Sequence, residues 1–113
     1  MSNENDTQTE AVATRTMHAL KTWPDFFQAI ADGRKNFEVR YDDRGFQAGD
    51  MVVLREWDPN HHASGLSIAD TQYTGRSITA TIGYVLHQPV GGVGATLNGY
   101  VVFSLLDINR ESA

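Results

Sequence analysis

The segment of residues 36–41 constrains the fold more than any other part of the chain. Apolar and polar side chains alternate along it, with Phe37, Val39 and Tyr41 opposing Asn36, Glu38 and Arg40. Because successive side chains of a β-strand point to opposite faces, this alternation predicts a strand. We expect its apolar set to pack in the core and its polar set to lie on the opposite face.

The residues before this strand predict a first strand and a short helix. Residues 17–21 form the strand, with Met17, Ala19 and Lys21 on one face and His18 and Leu20 on the other. Thr22 is a suitable cap for the helix that follows, Pro24 suits the first turn, and Gly33 suits its end. The expected apolar stripe of the helix consists of Trp23, Phe26, Phe27 and Ile30.

Three further strands are predicted after residue 50, at residues 51–57, 76–87 and 99–108. The polar residues 58–75 form the longest loop, and residues 88–96 form a glycine-bearing connection. About five strands with one short helix predict a mainly β, α+β domain built as a small, partly open barrel.

Length and composition exclude several classes of protein. With 113 residues the chain is expected to form one domain, at 16–113, after a disordered polar tail at 1–15. There is no cysteine, no apolar run long enough to span a membrane, and no basic-then-apolar leader, so a cytoplasmic location is expected. No cofactor is indicated.

The charge distribution disfavours a strong electrostatic grip on nucleic acid but leaves room for a local basic groove. The net charge is −5, whereas tight binding to phosphate backbones requires clustered positive charge. Most of the basic residues nevertheless fall between residues 17 and 55, where acidic residues balance them. Any basic patch must therefore be assembled by folding.

The strongest candidate site consists of Lys35, Glu38 and Arg40. The two cations suit a phosphate or a nucleobase carbonyl, and Glu38 suits an exocyclic amine or the role of general base. The alternative is a surface ion-pair network that contributes little to stability. Lys21, Arg44 and Arg55 are predicted as outer ligand-binding positions that supply charge.

Other chemistry-bearing residues carry weaker signals. Trp23 suits stacking on a base, but its place at a helix start favours packing, and His18 suits either proton transfer or a structural role. Asp58, His61 and His62 lie in a loop without supporting ligands, so no metal site is predicted. The sequence also lacks a Gly-x-Ser-x-Gly elbow, which disfavours serine hydrolase chemistry.

Several motifs in order give the chain a family resemblance. They are His18-x-Leu20-Lys21, Gly33-Arg34-Lys35-x-Phe37-Glu38-x-Arg40, Phe46-x-x-Gly49-Asp50, Leu54-Arg55-Glu56-Trp57-Asp58-Pro59, Tyr73-Thr74-Gly75-Arg76 and Gly99-Tyr100-Val101-Val102. Together they resemble the ASCH group of the PUA-like superfamily, and more narrowly a phage and bacterial branch of unknown function. The resemblance implies a pseudo-barrel of five or six strands with a cleft beside the first helix.

The resemblance also implies what the cleft binds. Relatives bind RNA or modified nucleosides, a few hydrolyse acylated cytidine, and some are nucleases. Lys35 matches the lysine of the hydrolases, whereas Glu38 stands where they have a threonine nucleophile, which a carboxylate cannot simply replace. We expect a module that binds RNA, a nucleotide or a modified nucleoside. The alternatives are an amidohydrolase on acylated pyrimidine nucleosides or a weak ribonuclease, with Lys35 and Glu38 catalytic, and a protein-interaction module.

Overall fold

The computed structural model describes residues 15–61, 72–87 and 99–113. These residues form one helix and five strands. In chain order they are β1 (Met17–Thr22), α1 (Pro24–Ala31), β2 (Phe37–Tyr41), β3 (Met51–Trp57), β4 (Tyr73–Leu86) and β5 (Tyr100–Asn109). The predicted tail apart from Arg15, the segment 62–71 of the predicted loop, and the predicted connection 88–96 with the two residues after it lie outside the described residues.

The five strands form a single sheet in the order β1-β3-β4-β5-β2. The pairing of β1 with β3 is parallel, and the three other pairings are antiparallel. The sheet curls into a half-barrel with one short helix, which confirms the predicted mainly β pseudo-barrel. Because β1 and β2 lie at the two edges of this sheet, the residues between them in sequence must cross from one edge to the other.

The core lies between the concave face of the sheet and α1. Each of four strands contributes alternate buried side chains, among them Leu20, Leu54, Ile78 and Phe103. From α1 only Phe27 and Ile30 are buried. The helix ends at Ala31, and the predicted stop Gly33 lies just beyond it, with φ +82° and an amide that donates to the carbonyl of Ile30. A non-glycine residue rarely adopts this conformation.

The start of α1 differs from the prediction in two respects. Trp23, not Thr22, occupies the cap position, and no side chain caps the helix. The Thr22 hydroxyl donates instead to the carbonyl of Leu20, because Thr22 is a buried residue of β1. In addition, Trp23 and Phe26 are half exposed, so the buried stripe is narrower than the sequence pattern suggests.

The orientation of β2 is opposite to the predicted one. Phe37, Val39 and Tyr41 are exposed by 42%, 52% and 57%, whereas Glu38 is exposed by only 3%. The pairing with β5 explains this, because Glu38 stands opposite the fully buried Phe103. Glu38 is therefore on the inner face of the sheet, and the apolar set of this edge strand points outward.

The other strands agree more closely with the sequence pattern. β3 has the predicted bounds, β5 is shifted by one residue, and β4 begins three residues earlier than expected, at Tyr73. Ile78, Ala80 and Ile82 are buried in alternation as predicted, but Tyr84 is 69% exposed. The pairing of β4 with β5 shifts register between Ile82 and Val85, which interrupts the alternation. In the described part of the chain, no helix has the length and apolarity needed to cross a membrane.

Candidate functional site

Two arginine side chains bridge the edges of the half-barrel. The Nη2 atom of Arg40 donates to the carbonyl of Lys21 at 2.8 Å. The Nη1 atom of Arg44 donates to the carbonyl of Ala19, also at 2.8 Å. Two alternate carbonyls of β1 thus receive guanidinium donors instead of the amides of a neighbouring strand. We call this side-chain junction between β1 and β2 the seam.

A cleft of about 730 Å³ lies along the seam. Five aromatic residues line it, namely Trp23, Phe26, Phe37, Tyr41 and Tyr100. Each of them is exposed by between 42% and 57%. Tyr41 and Tyr100 contact each other edge to face, with ring centroids 5.5 Å apart. The cleft therefore offers several accessible aromatic faces to a ligand.

Lys35, Glu38 and Arg40 form a connected ion-pair cluster in this cleft. The Nζ atom of Lys35 donates to Oε1 of Glu38 at 2.5 Å, and Nε of Arg40 donates to Oε2 at 3.0 Å. Lys35 also donates to the carbonyl of Phe37 at 2.7 Å. Both carboxylate oxygens are thus engaged, and the cluster retains one unit of positive charge.

Lys21 adds a second cationic position at the same cleft. Its side chain lies on the outer face of β1, and its ammonium is 4.3 Å from the centre of the Trp57 ring. The Trp57 ring in turn lies 5.3 Å from that of Trp23, which lines the cleft. The Lys21 ammonium therefore makes a cation–π contact, and it has no carboxylate partner among the described residues.

The structure brings four of the six predicted ligand-binding residues to the cleft. Lys21, Lys35, Glu38 and Arg40 line it. Arg44 belongs to the seam, where it also pairs with the exposed Asp43. Arg55 lies elsewhere, on the outer face of β3, with its guanidinium carbon 3.9 Å from the centre of the Tyr73 ring.

His18 is a structural residue and does not reach the cleft. It lies on the face of β1 opposite Lys21, as the alternation predicts, and its Nε2 atom is 2.9 Å from Oδ2 of the buried Asp50. Burial raises the pKa of the Asp50 carboxyl, but hydrogen bonds from His18 and from the amides of Thr16 and Gln47 outweigh burial. The pKa of Asp50 is therefore below its ordinary value, and the carboxylate remains ionised.

A second buried carboxylate belongs to Glu56, on the inner face of β3. Its Oε1 atom accepts a hydrogen bond from the Thr74 hydroxyl at 2.7 Å and a longer one from Arg76 at 3.4 Å. The Arg76 guanidinium also lies 4.9 Å from the centre of the Phe27 ring. This network joins β3 and β4 to the helix. We therefore assign Glu56 a structural role.

Apart from Trp23, which was considered for stacking, the aromatic lining of the cleft is the part of the site that the sequence pattern did not predict. Phe26, Phe37 and Tyr41 were expected in the core or not assigned to the site, because apolar residues in a periodic pattern usually mark the buried face. The signal that points to the correct arrangement is Glu38 with Lys35 and Arg40 on either side. A carboxylate compensated in this way is able to face inward, which turns its aromatic neighbours outward.

The predicted loop histidines are only partly described. His61 lies just after β3, and His62 is outside the described residues. Within the described ranges, no group of three or more histidine, aspartate or glutamate side chains is arranged to hold a metal ion.

The fold and site define a curled five-stranded half-barrel with an aromatic, cation-bearing cleft at its seam. Residues 17–105 match the family described as "Domain of unknown function (DUF3850)", which covers β1 through most of β5. The chain belongs to this family. It is also 30% identical over 66 residues to the "Uncharacterized 12.9 kDa protein in GpA 3'region" of Escherichia phage P2. That match spans 58% of this chain and 50% of the phage protein, so the chain matches about half the length of this curated relative.

Proposed function

We propose that the cleft binds an anionic ligand that contains a nucleobase, namely a nucleotide or RNA. The observation that carries this proposal is the combination of exposed aromatic rings with excess positive charge in one cleft. Aromatic faces such as those of Trp23 and Tyr41 stack on bases with little preference for sequence. Lys21 and the Lys35–Glu38–Arg40 cluster supply the cations that a phosphate requires.

In this proposal Glu38 positions the two cations and does not take part in chemistry. Its carboxylate already accepts hydrogen bonds from Lys35 and Arg40. To act as a general base, Glu38 would have to lose one of these partners. The buried carboxylate would then lack one of the two cations that compensate its charge. The arrangement therefore favours ligand binding over the hydrolase and nuclease alternatives.

We further propose that the chain is an ASCH-type member of the PUA-like superfamily and acts in the cytoplasm. The curled half-barrel with a cleft next to its helix supports the superfamily assignment, together with the motifs at residues 18–59, 73–76 and 99–102. The lysine position of the related hydrolases is retained as Lys35, which lines the cleft. The nucleophile position is occupied by the buried Glu38, in agreement with a binding role.

The test is a titration with the four ribonucleoside 5′-monophosphates and a mixed-sequence RNA oligonucleotide, followed by tryptophan fluorescence. Lys21→Ala is the informative variant, because Lys21 is exposed and has no carboxylate partner among the described residues that its loss would leave uncompensated. We expect it to weaken binding about tenfold, the equivalent of about 1.4 kcal/mol. Arg34→Ala is the matched control, since Arg34 lies outside the cleft and pairs with the exposed Asp32.

Two results would contradict the proposal. One is the absence of saturable binding of any of these ligands to the wild-type protein. The other is an equal loss of affinity in the Lys21 and Arg34 variants, because this would show that only overall charge matters.

A further inference from the structure

We infer that the nucleic-acid surface continues out of the cleft across the outer face of β1, β3 and β4. Four residues form this extension, which we call the platform: Lys21, Arg55, Trp57 and Tyr73. The ligand would then be a single-stranded oligonucleotide whose neighbouring bases occupy the cleft and the platform. This inference rests on the proposed function and specifies its ligand.

The strand pairings place the four platform residues on one face of the sheet. Lys21 is the register partner of Arg55 in the parallel pair of β1 and β3, and Trp57 is the register partner of Tyr73 in the antiparallel pair of β3 and β4. Register partners share a face, as do residues two apart in a strand. The pairing of β3 with β4 shifts register between Arg55 and Trp57, but Glu56 between them is buried, so both residues still face outward. Leu20 and Leu54 face the core next to Lys21 and Arg55, and the Arg55 guanidinium contacts the Tyr73 ring, so all four platform residues share the outer face.

Cations and aromatic rings alternate across this platform. The Arg55 guanidinium carbon lies 3.9 Å from the centre of the Tyr73 ring, and the Lys21 ammonium lies 4.3 Å from the centre of the Trp57 ring. A planar guanidinium held against an aromatic ring presents a flat surface on which a base can stack. Interleaved stacking surfaces and cations are the features that bind single strands without reading their sequence.

The charge of the platform is not compensated within the described residues. Lys21 and Arg55 stand directly opposite each other on paired strands, where like charges repel. Neither is paired with a carboxylate of the described residues, although the chain as a whole is acidic. An anion bound between them would remove this repulsion, and a phosphate diester between two stacked bases has the required charge.

The platform is continuous with the cleft. Lys21 belongs to both surfaces, and Trp57 on the platform contacts Trp23 in the cleft with ring centroids 5.3 Å apart. At the other end of the cleft, Tyr41 stands four residues from Phe37 on the same face of β2, a separation of about 13 Å. A single nucleotide cannot occupy this length and the platform together, whereas a short single strand can.

The test compares uridine 5′-monophosphate with oligouridylates of two, four and eight nucleotides, and with the corresponding oligodeoxythymidylates. We expect affinity to rise by at least tenfold between the mononucleotide and the octamer. Arg55→Ala and Tyr73→Ala should weaken octamer binding about five- to tenfold and leave mononucleotide binding unchanged. Tyr73→Phe should retain octamer affinity, because the stacking ring is kept.

Matched controls separate this role from charge and folding effects. Arg34→Ala removes one exposed arginine away from both surfaces, and Tyr84→Ala removes an exposed tyrosine from β4. Neither should change octamer binding. Arg55→Ala should also reduce the slope of log affinity against log salt concentration by about 0.7, the value for one phosphate contact on a single strand.

The outcomes distinguish this inference from the proposed function. Mononucleotide binding with no gain for longer strands, or octamer binding unaffected by the Arg55 and Tyr73 variants, would overturn the platform and leave the cleft proposal intact. An equal loss of mononucleotide and octamer affinity in these variants would also overturn it. Binding of neither ligand to the wild-type protein would remove both proposals.

Discussion

At the scale of single residues, Glu38 decides the character of the cleft. It is almost completely buried, and its two oxygens are divided between Lys35 and Arg40. Buried carboxylates are tolerated when they are paired and hydrogen-bonded in this way. The pairing fixes two flexible cationic side chains in place, so the cleft presents them to a ligand at little entropic cost.

Replacing Glu38 tests this role directly. Glu38→Gln should lower the free energy of unfolding by about 1–3 kcal/mol, since it removes the shared partner of Lys35 and Arg40. Urea denaturation measures the change. Asp32→Asn is the control, because its pair with Arg34 is exposed to solvent and should contribute little to stability. Equal effects of the two substitutions would show that the Glu38 cluster is an ordinary surface network.

At the scale of secondary-structure elements, β2 is unusual because its apolar face is the exposed one. Val39 and Tyr41 oppose Val102 and Tyr100 on the outer side of the sheet, while Glu38 opposes the buried Phe103. A shift of one residue in register would exchange these faces and move the carboxylate out of the cleft. The orientation of this short edge strand therefore determines whether the candidate site exists.

The orientation of β2 predicts that Phe37 on β2 and Phe103 on β5 contribute differently to stability. Phe37→Ala should cost only about 1–2 kcal/mol of stability, because the side chain is already 42% exposed. Phe103→Ala should cost about 3–5 kcal/mol, because Phe103 is fully buried. Chemical denaturation of both variants provides the comparison. A larger loss for Phe37 than for Phe103 would restore the orientation expected from the sequence.

The bounds of the strands were largely predictable from the sequence, whereas the orientation of the edge strand β2 was not. β3 was predicted with its observed bounds because its apolar run lies between two turn signals, Gly49-Asp50 and Asp58-Pro59, and Gly33 correctly marked the end of α1. For β2 the apolar positions were assigned to the core, since apolar burial is the usual outcome. Lys35 and Arg40 on either side of Glu38 allow the carboxylate to face inward, but only the pairing of β2 with β5 fixes that orientation.

The difference between local and long-range contacts also explains why the charged part of the site was predictable and most of its aromatic part was not. Lys35, Glu38 and Arg40 were grouped correctly because they are close in sequence. Tyr100 reaches the cleft only through the pairing of β2 with β5, which spans about half of the chain. No local pattern around Tyr100 indicates this contact.

At the scale of the whole molecule, the half-barrel is joined at its seam by side chains and not by a ladder of backbone hydrogen bonds. Arg40 and Arg44 donate to alternate carbonyls of β1. A sheet edge left open presents unpaired backbone groups to other chains. The two guanidinium groups occupy part of this edge and thereby limit such pairing.

Removing Arg44 tests the seam without disturbing the ion-pair cluster. Arg44→Ala should increase amide hydrogen exchange in β1, because the edge at Ala19 loses its only donor from across the seam among the described residues. Exchange in β4 should not change, since both neighbours of β4 remain paired. Arg34→Ala is the control for the loss of one positive charge. Unchanged exchange in β1 would mean that the arginine contact does not stabilise the edge.

The strand order also determines when the cleft forms during folding. Every charged residue of the cleft lies between Lys21 and Arg40, yet β1 is positioned by β3 and β2 is positioned by β5. Contacts between residues far apart in sequence form late and slowly during folding. A partly synthesised chain would thus carry all the charges of the cleft without the cleft itself, and the proposed ligand would bind only once the last strand has joined the sheet.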